Sequence, residues 1–164
     1  MSLLAGRAYQ RQLFPLVSEE LGARFSLNNA LQYGTLPIVV QSKSPAETLQ
    51  VYAQLYATQE IQAEAAARQL PGFLRFLPIA ALFHRHALNL SGLAQDAMVP
   101  RSTLDGHIQV LEDSLLIARL AAFEPKLRVK ERKHPKFYWT DIGIVRALRQ
   151  ELGGTERRVP RTFI

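Results

Sequence analysis

Leu88-Asn89-Leu90-Ser91-Gly92-Leu93-Ala94-Gln95-Asp96-Ala97-Met98-Val99-Pro100-Arg101-Ser102-Thr103-Leu104 is the stretch that decides the fold. Ser91 is placed to cap a short helix in which Leu93 and Ala94 face inward, the small Ala94 letting a second helix approach closely. Ala97 to Val99 reads as the turn. From Arg101 to Ser114 a second helix puts Leu104, Ile108, Leu111 and Leu115 on one stripe, at spacings of four, three and four. Leu116-Ile117-Ala118-Arg119-Leu120 then switches to strand character and Lys136-Phe137-Tyr138-Trp139 supplies a returning strand, with Tyr138 and Trp139 alternating between core and solvent. Thr140 or Asp141 can cap a closing helix whose Ile144, Ala147 and Leu148 pack back. Helix, turn, helix, strand, loop, strand is the order of a winged helix-turn-helix.

Working toward the N-terminus, Leu70 to Ala87 reads as an apolar helix with Phe73, Leu77 and Ala80 or Ala81 on one side, kinked where Pro78 removes a backbone donor. Before it, Ser44-Pro45-Ala46-Glu47 combines a cap, a proline at the first helical position and a glutamate able to reach back. The helix starting there places Leu49, Tyr52, Leu55 and Tyr56 on one face and extends, bent or broken near Thr58, to Arg68. Ser26 can cap a helix ending at Tyr33, with Gly34 in a left-handed conformation. Ser18 can cap a short helix through Leu21, and Ala8 to Val17 reads as a strand running into a Pro15 turn. The expected architecture is therefore mainly α with a small β wing. Residues 1–69 form a strand and a helical region, 70–150 the winged helix-turn-helix, and 151–164 a basic tail expected to be poorly ordered.

The charge is unevenly distributed. The net +6 of the 164 residues divides into 8 Lys/Arg against 9 Asp/Glu up to Leu116, and 12 against 5 beyond it. Lys126, Arg128, Lys130, Arg132, Lys133 and Lys136 crowd the loop between the two strands and outnumber Glu124 and Glu131. Such a patch concentrates polyanions, nucleic acid first among them. The second helix of the motif would present Arg101, Ser102, Asp105, Gly106, Gln109 and Glu112 to a major groove. Two of the six are acidic and repel phosphates, so Arg101, Ser102 and Gln109 form the weaker contact set and the wing the stronger one. A solvated loop that only keeps the hairpin soluble is the competing reading.

Several chemistries fall away. Cysteine is absent, which removes disulfides and thiolate chemistry and is compatible with the cytoplasm. The most apolar stretch, Gly72 to Leu82, is interrupted by Arg75 and Pro78 and falls well short of the ~20 residues of a membrane span. His84 and His86, two apart on a helix, point to different sides, whereas helical metal pairs need three or four. His107 reads as a half-buried packing residue, because no carboxylate or nucleophile accompanies it. Glu19-Glu20 and Glu112-Asp113 read as solvated helix charges. No metal site and no catalytic residue is expected.

The chain also resembles the C-terminal part of a family of predicted prokaryotic AAA+ ATPases. The matching stretches are Leu3-Leu4-Ala5-Gly6-Arg7, Leu13-Phe14-Pro15-Leu16 with Glu20-Leu21, Tyr33-Gly34-Thr35-Leu36-Pro37, and Lys133-His134-Pro135-Lys136-Phe137-Tyr138-Trp139-Thr140-Asp141-Ile142-Gly143. The resemblance implies a lid and winged helix that follow an ATPase core and precede a nuclease-like domain, with Arg7 near a lid boundary where it could sense a phosphate. A surface salt bridge is the alternative role for Arg7. No glycine here precedes a lysine, so the phosphate loop is missing, as are the acidic groups that hold magnesium. ATP and Mg are expected only with the missing core, and this piece is expected to be inert as an ATPase. Three readings stay open: a non-enzymatic module of such an ATPase binding DNA or a partner domain, a free-standing DNA-binding regulator, and a protein-interaction winged helix.

Overall fold

The computed structural model describes residues 12–64, 70–121 and 134–152, with backbone alone over 56–64. Among these residues the protein is mainly helical with one small antiparallel sheet. Its elements are α1 (Ser18–Leu21), a 3-10 turn (Gly22–Arg24), α2 (Leu27–Tyr33), α3 (Pro37–Val40), α4 (Pro45–Glu64), α5 (Leu70–Leu82), α6 (Leu90–Asp96), α7 (Arg101–Asp113), β1 (Ile117–Leu120), β2 (Lys136–Trp139) and α8 (Ile142–Leu148).

Local sequence accounts for most helix starts. Ser26 Oγ accepts from the Asn29 amide at the head of α2, and Asp141 accepts from Gly143 and Ile144 at the head of α8. Two expected caps move. Asn89, not Ser91, caps α6, its Oδ1 accepting from Gly92 N–H at 3.1 Å, because the helix begins earlier than the apolar spacing suggests. Val17, not Ser18, occupies the cap of α1, where Glu20 accepts the Val17 amide at 3.0 Å. At α4 the Ser44 amide is taken by Ser42 Oγ at 3.0 Å rather than by Glu47. The strand expected up to Val17 does not form over residues 12–17, whose tie to the body is Leu16 N–H donating to the Thr35 carbonyl at 3.0 Å. α4 continues unbroken past Thr58, and its Leu55 is exposed instead of sharing the buried face of Leu49.

α5 ends at Leu82, short of Ala87. The chain then turns at Arg85 (φ 71°) and runs alongside β2. Arg85 N–H donates to the Phe137 carbonyl at 2.7 Å, Phe137 N–H to the His86 carbonyl at 3.0 Å, and Leu88 N–H to the Pro135 carbonyl at 2.9 Å. β2 is thus flanked on one side by β1, in the register Ile117↔Trp139 to Leu120↔Lys136, and on the other by this short ladder, in which Ala87 and Lys136 form a bridge pair. α7 closes the other side of the motif. Its buried positions are Leu104, His107, Ile108 and Leu111. Leu115 leaves the stripe: it sits beyond the helix at φ 59°, and Leu116 takes the buried place.

The principal core joins α5, α6, α7, the hairpin and α8 through Phe73, Phe76, Leu93, Leu104, Phe137 and Ile144, with Leu36 and Tyr52 of the first third packed against it. A second cluster gathers Val39, Leu49 and Leu152. α8 is the hub, touching α2, α4, α5 and β2. No helix among the described residues is long and apolar enough to cross a membrane.

Candidate nucleic-acid interface

The two short helices α6 and α7 hold one surface of the molecule. α6 terminates at Met98, which takes φ 51° so that Val99 N–H reaches back to the Ala94 carbonyl at 3.0 Å; the chain then enters α7 at Pro100-Arg101. This directs Arg101, Ser102, Asp105, Gly106 and Gln109 to solvent, as the helical spacing predicts. Arg101, Asp105 and Gln109 are paired along the helix. Arg101 Nη1 contacts Asp105 Oδ2 at 2.6 Å, one turn on, and Gln109 Nε2 donates to Asp113 Oδ1 at 2.8 Å. Ser102 is exposed with no such partner among the described residues.

Arg119, which sequence reasoning did not single out, lies on β1 and folds back onto α7. Its Nε donates to Glu112 Oε1 at 2.7 Å and its Nη2 contacts Glu112 Oε2. The pairing raises the Arg119 pKa, against a smaller opposing effect of burial. A forked pair across seven residues could have been guessed only from the knowledge that β1 returns over α7. Counted over α7 and β1, the cations Arg101 and Arg119 face the anions Asp105, Glu112 and Asp113. A phosphate approaching this face meets a net negative surface whose arginines are already engaged.

Lys136 opens β2, exposed beside the equally exposed His134. Lys126, Arg128, Lys130, Arg132 and Lys133 belong to the connection between β1 and β2 and lie outside the described residues, as do Glu124, Glu131 and Arg7. The antiparallel register pairs Leu120 with Lys136, so this connection departs from and returns to a single end of the hairpin.

The histidines serve the framework. His84 and His86 lie in the turn after α5 rather than on a helix. His84 Nδ1 accepts from the Trp139 amide at 3.1 Å, which leaves its proton on Nε2; burial foremost, then Arg85, Arg149 and His86, hold its pKa below the usual value. The Trp139 indole donates to the Ala80 carbonyl at 3.2 Å. His107 is fully buried, not half-buried. Its ring sits 5.2 Å from that of Phe73 and 5.6 Å from that of Phe76, its Nε2 has no hydrogen-bond partner among the described residues, and burial lowers its pKa. Among the described residues no group of three or more His, Cys, Asp and Glu side chains gathers to hold a metal.

A buried joint behind the hairpin draws together two distant sequence segments, Tyr33–Pro37 and Thr140–Gly143. Asp141 Oδ2 accepts from Thr35 N–H at 2.7 Å, and Oδ1 from Gly143 N–H at 2.7 Å and Ile144 N–H at 3.3 Å. Burial raises the Asp141 pKa, and the backbone donors of Thr35, Ile144, Gly143 and Leu36 pull it back. Both glycines of the joint are required by contact. A Cβ on Gly34 would fall 1.9 Å from Asp141 Oδ1, and one on Gly143 would fall 2.0 Å from the Tyr33 carbonyl oxygen.

No curated protein and no solved structure matches the chain. A family model does: it covers residues 24–156, from the last residue of the 3-10 turn through α2 to α8, and is described as a domain of unknown function, DUF8612. The chain belongs to the DUF8612 family.

Proposed function

We propose that this chain is a non-catalytic binding module of the winged helix-turn-helix type, which contacts nucleic-acid backbone through the connection between β1 and β2. The observation that carries the reading is the ladder around β2. A helix (α5), a short strand-like segment (85–88), two helices across a tight turn (α6, α7) and a hairpin whose returning strand lies between the early segment and β1 follow one another in the order that a winged helix requires. The acidic surplus on the face of α7 favours the wing over the recognition helix as the contact. Phosphate contact of this kind positions a protein without reading sequence and weakens steeply with salt. Binding of a mixed-sequence duplex, followed by fluorescence anisotropy at two salt concentrations, tests it. The expected result is a steep salt dependence that flattens in K130A/R132A/K133A, and no binding at low salt refutes it.

The wider setting we propose is the lid and winged helix of an AAA+-type ATPase in the cytoplasm, the catalytic core and its ATP and Mg lying elsewhere. One observation favours such a partner domain over a free-standing regulator. Leu13, Phe14, Leu27, Leu31 and Ile38 are all more than half exposed in the N-terminal region, apolar surface that a neighbouring domain would cover. A phosphate-loop sequence encoded directly upstream in the gene would support this setting, and an unrelated upstream gene would remove it.

A further inference from the structure

A cavity of ≈ 320 Å³ opens between the 3-10 turn, α2 and the start of α4. This is the lower end of the size range of small-molecule sites, about 300 to 1,000 Å³. Leu21, Ala30, Val39 and Pro45 give it apolar walls, and Arg24, Asn29 and Tyr33 contribute a guanidinium, a carboxamide and a phenol. None of these three side chains has a hydrogen bond or ion pair to another described residue. Among the described residues that line it there is no Asp or Glu, and Arg24 is the one charged side chain. Arg24 and Asn29 are exposed and Tyr33 is half-buried, so one cation and two neutral polar groups, not committed to other described residues, rim an apolar floor, and this is the composition of a ligand site.

The charge behind the floor narrows the ligand. Asp141 is not part of the wall but lies directly against Gly34, which is. A dianion would meet one arginine in front and a carboxylate behind, whereas a monoanion is balanced by Arg24 alone. We propose that this cavity binds a small monocarboxylate with an apolar body, its carboxylate held by Arg24 with donors from Asn29 and Tyr33. The site is separate from the hairpin and does not depend on nucleic-acid binding.

The experiment is a heteronuclear NMR titration of the full chain with benzoate, benzamide and phenyl phosphate. Benzoate, at the size of a fragment, is expected to bind with a Kd on the order of 1 mM. It should shift the amides of Asn29, Gly34 and Thr35 saturably. Loss of a charge-assisted contact weakens binding by about tenfold or more, so benzamide, and benzoate with Arg24→Gln, should fall by that factor while the remaining spectrum stays unchanged. Tyr33→Phe, which keeps the wall and removes one donor, should weaken benzoate without abolishing it. Absence of saturable shifts, equal binding of benzamide, undiminished binding to Arg24→Gln, or tighter binding of phenyl phosphate would each overturn the assignment.

Discussion

Replacing Gly34 and Asp141 by alanine, singly and together, measures whether the buried joint couples the N-terminal helices to the hairpin region. Asp141→Ala removes an acceptor from three backbone amides. Loss of the cap on α8 costs about 1–2 kcal/mol, and the stranded Thr35 N–H costs a further ~1–2 kcal/mol, so the single change should destabilise by roughly 2–4 kcal/mol. Gly34→Ala fails for two separable reasons. Its Cβ would overlap the Asp141 carboxylate, forcing that side chain off its three donors, and Gly34 sits at φ 75°, ψ −166°, a region held almost only by glycine and costing other residues about 1–3 kcal/mol. The sum is about 3–7 kcal/mol.

In the double variant the carboxylate is already gone, so only the backbone strain of Gly34→Ala remains to be added. The cycle should therefore close with a coupling of roughly 2–4 kcal/mol, since the same network is lost only once. Chemical denaturation of the four proteins, monitored by circular dichroism, yields the numbers, and at about 2–4 °C per kcal/mol the melting temperatures should follow. Additivity within ~0.5 kcal/mol would refute the reasoning, because it would mean that Gly34 and Asp141 do not share a space.

Three further outcomes follow from single contacts. His107 has its folded pKa depressed by burial, so the stability it allows is complete above the unfolded value near 6.5 and is lost as pH falls below it toward the folded value. The stability difference between wild type and His107→Phe should be flat above that pH and shift against wild type below it, by at most ~1.4 kcal/mol per pH unit; a pH-independent difference would reject a buried neutral imidazole. Met98 is 73% exposed at φ 51°, so Met98→Gly should stabilise the end of α6 by about 0.5–1 kcal/mol in thermal unfolding, and destabilisation would show that its side chain packs. Glu112→Gln should release Arg119 on a face that the wing contact leaves free, so low-salt duplex binding should tighten by no more than about threefold; a gain of about tenfold or more would place the contact on α7.

The order of elements from α5 to α8 is legible in the sequence because each leaves a local mark: the inward stripe of α7, the alternation Phe137 and Trp139 in, Tyr138 half out, and Asp141 at the head of α8. Three helix ends are not legible. α6, α7 and α8 close on Met98, Leu115 and Gln150, all at positive φ, where glycine is the usual marker. That is why spacing alone puts Leu115 on the stripe. The strand-like segment 85–88 also leaves no periodic signal, since it pairs by backbone groups and presents only Leu88 to the core. For the candidate interface, the exposed positions of α7 and the one-turn pairs Arg101–Asp105 and Gln109–Asp113 follow from helical spacing, but the Arg119–Glu112 pair does not, because Arg119 reaches Glu112 only through the return of β1. The cavity at Arg24 depends on α2, α3 and α4 meeting, which no single segment encodes.

A cut at the expected boundary between residues 69 and 70 puts the same physics to a larger test. The sequence places a boundary there without excluding a shared core, and α8 packs on α2 and α4 as well as on α5. Residues 70–152 taken alone would lose Leu36 and Tyr52 from the principal core, the partners of Leu152, and the Thr35 donor to Asp141. Burying a side chain of this kind contributes ~1.5–3 kcal/mol, so losing several approaches the roughly 5–15 kcal/mol that holds a domain folded. The truncated protein should retain helix in far-ultraviolet circular dichroism but lose the near-ultraviolet signal of Trp139 and its cooperative melt. A sharp transition within about 5 °C of the full chain's would show that α8 needs nothing from the first 69 residues, on the scale where ~1–2 kcal/mol moves the midpoint by that amount. The joint at Asp141 would then be ornamental to the fold, and residues 70–152 would stand as a domain of their own.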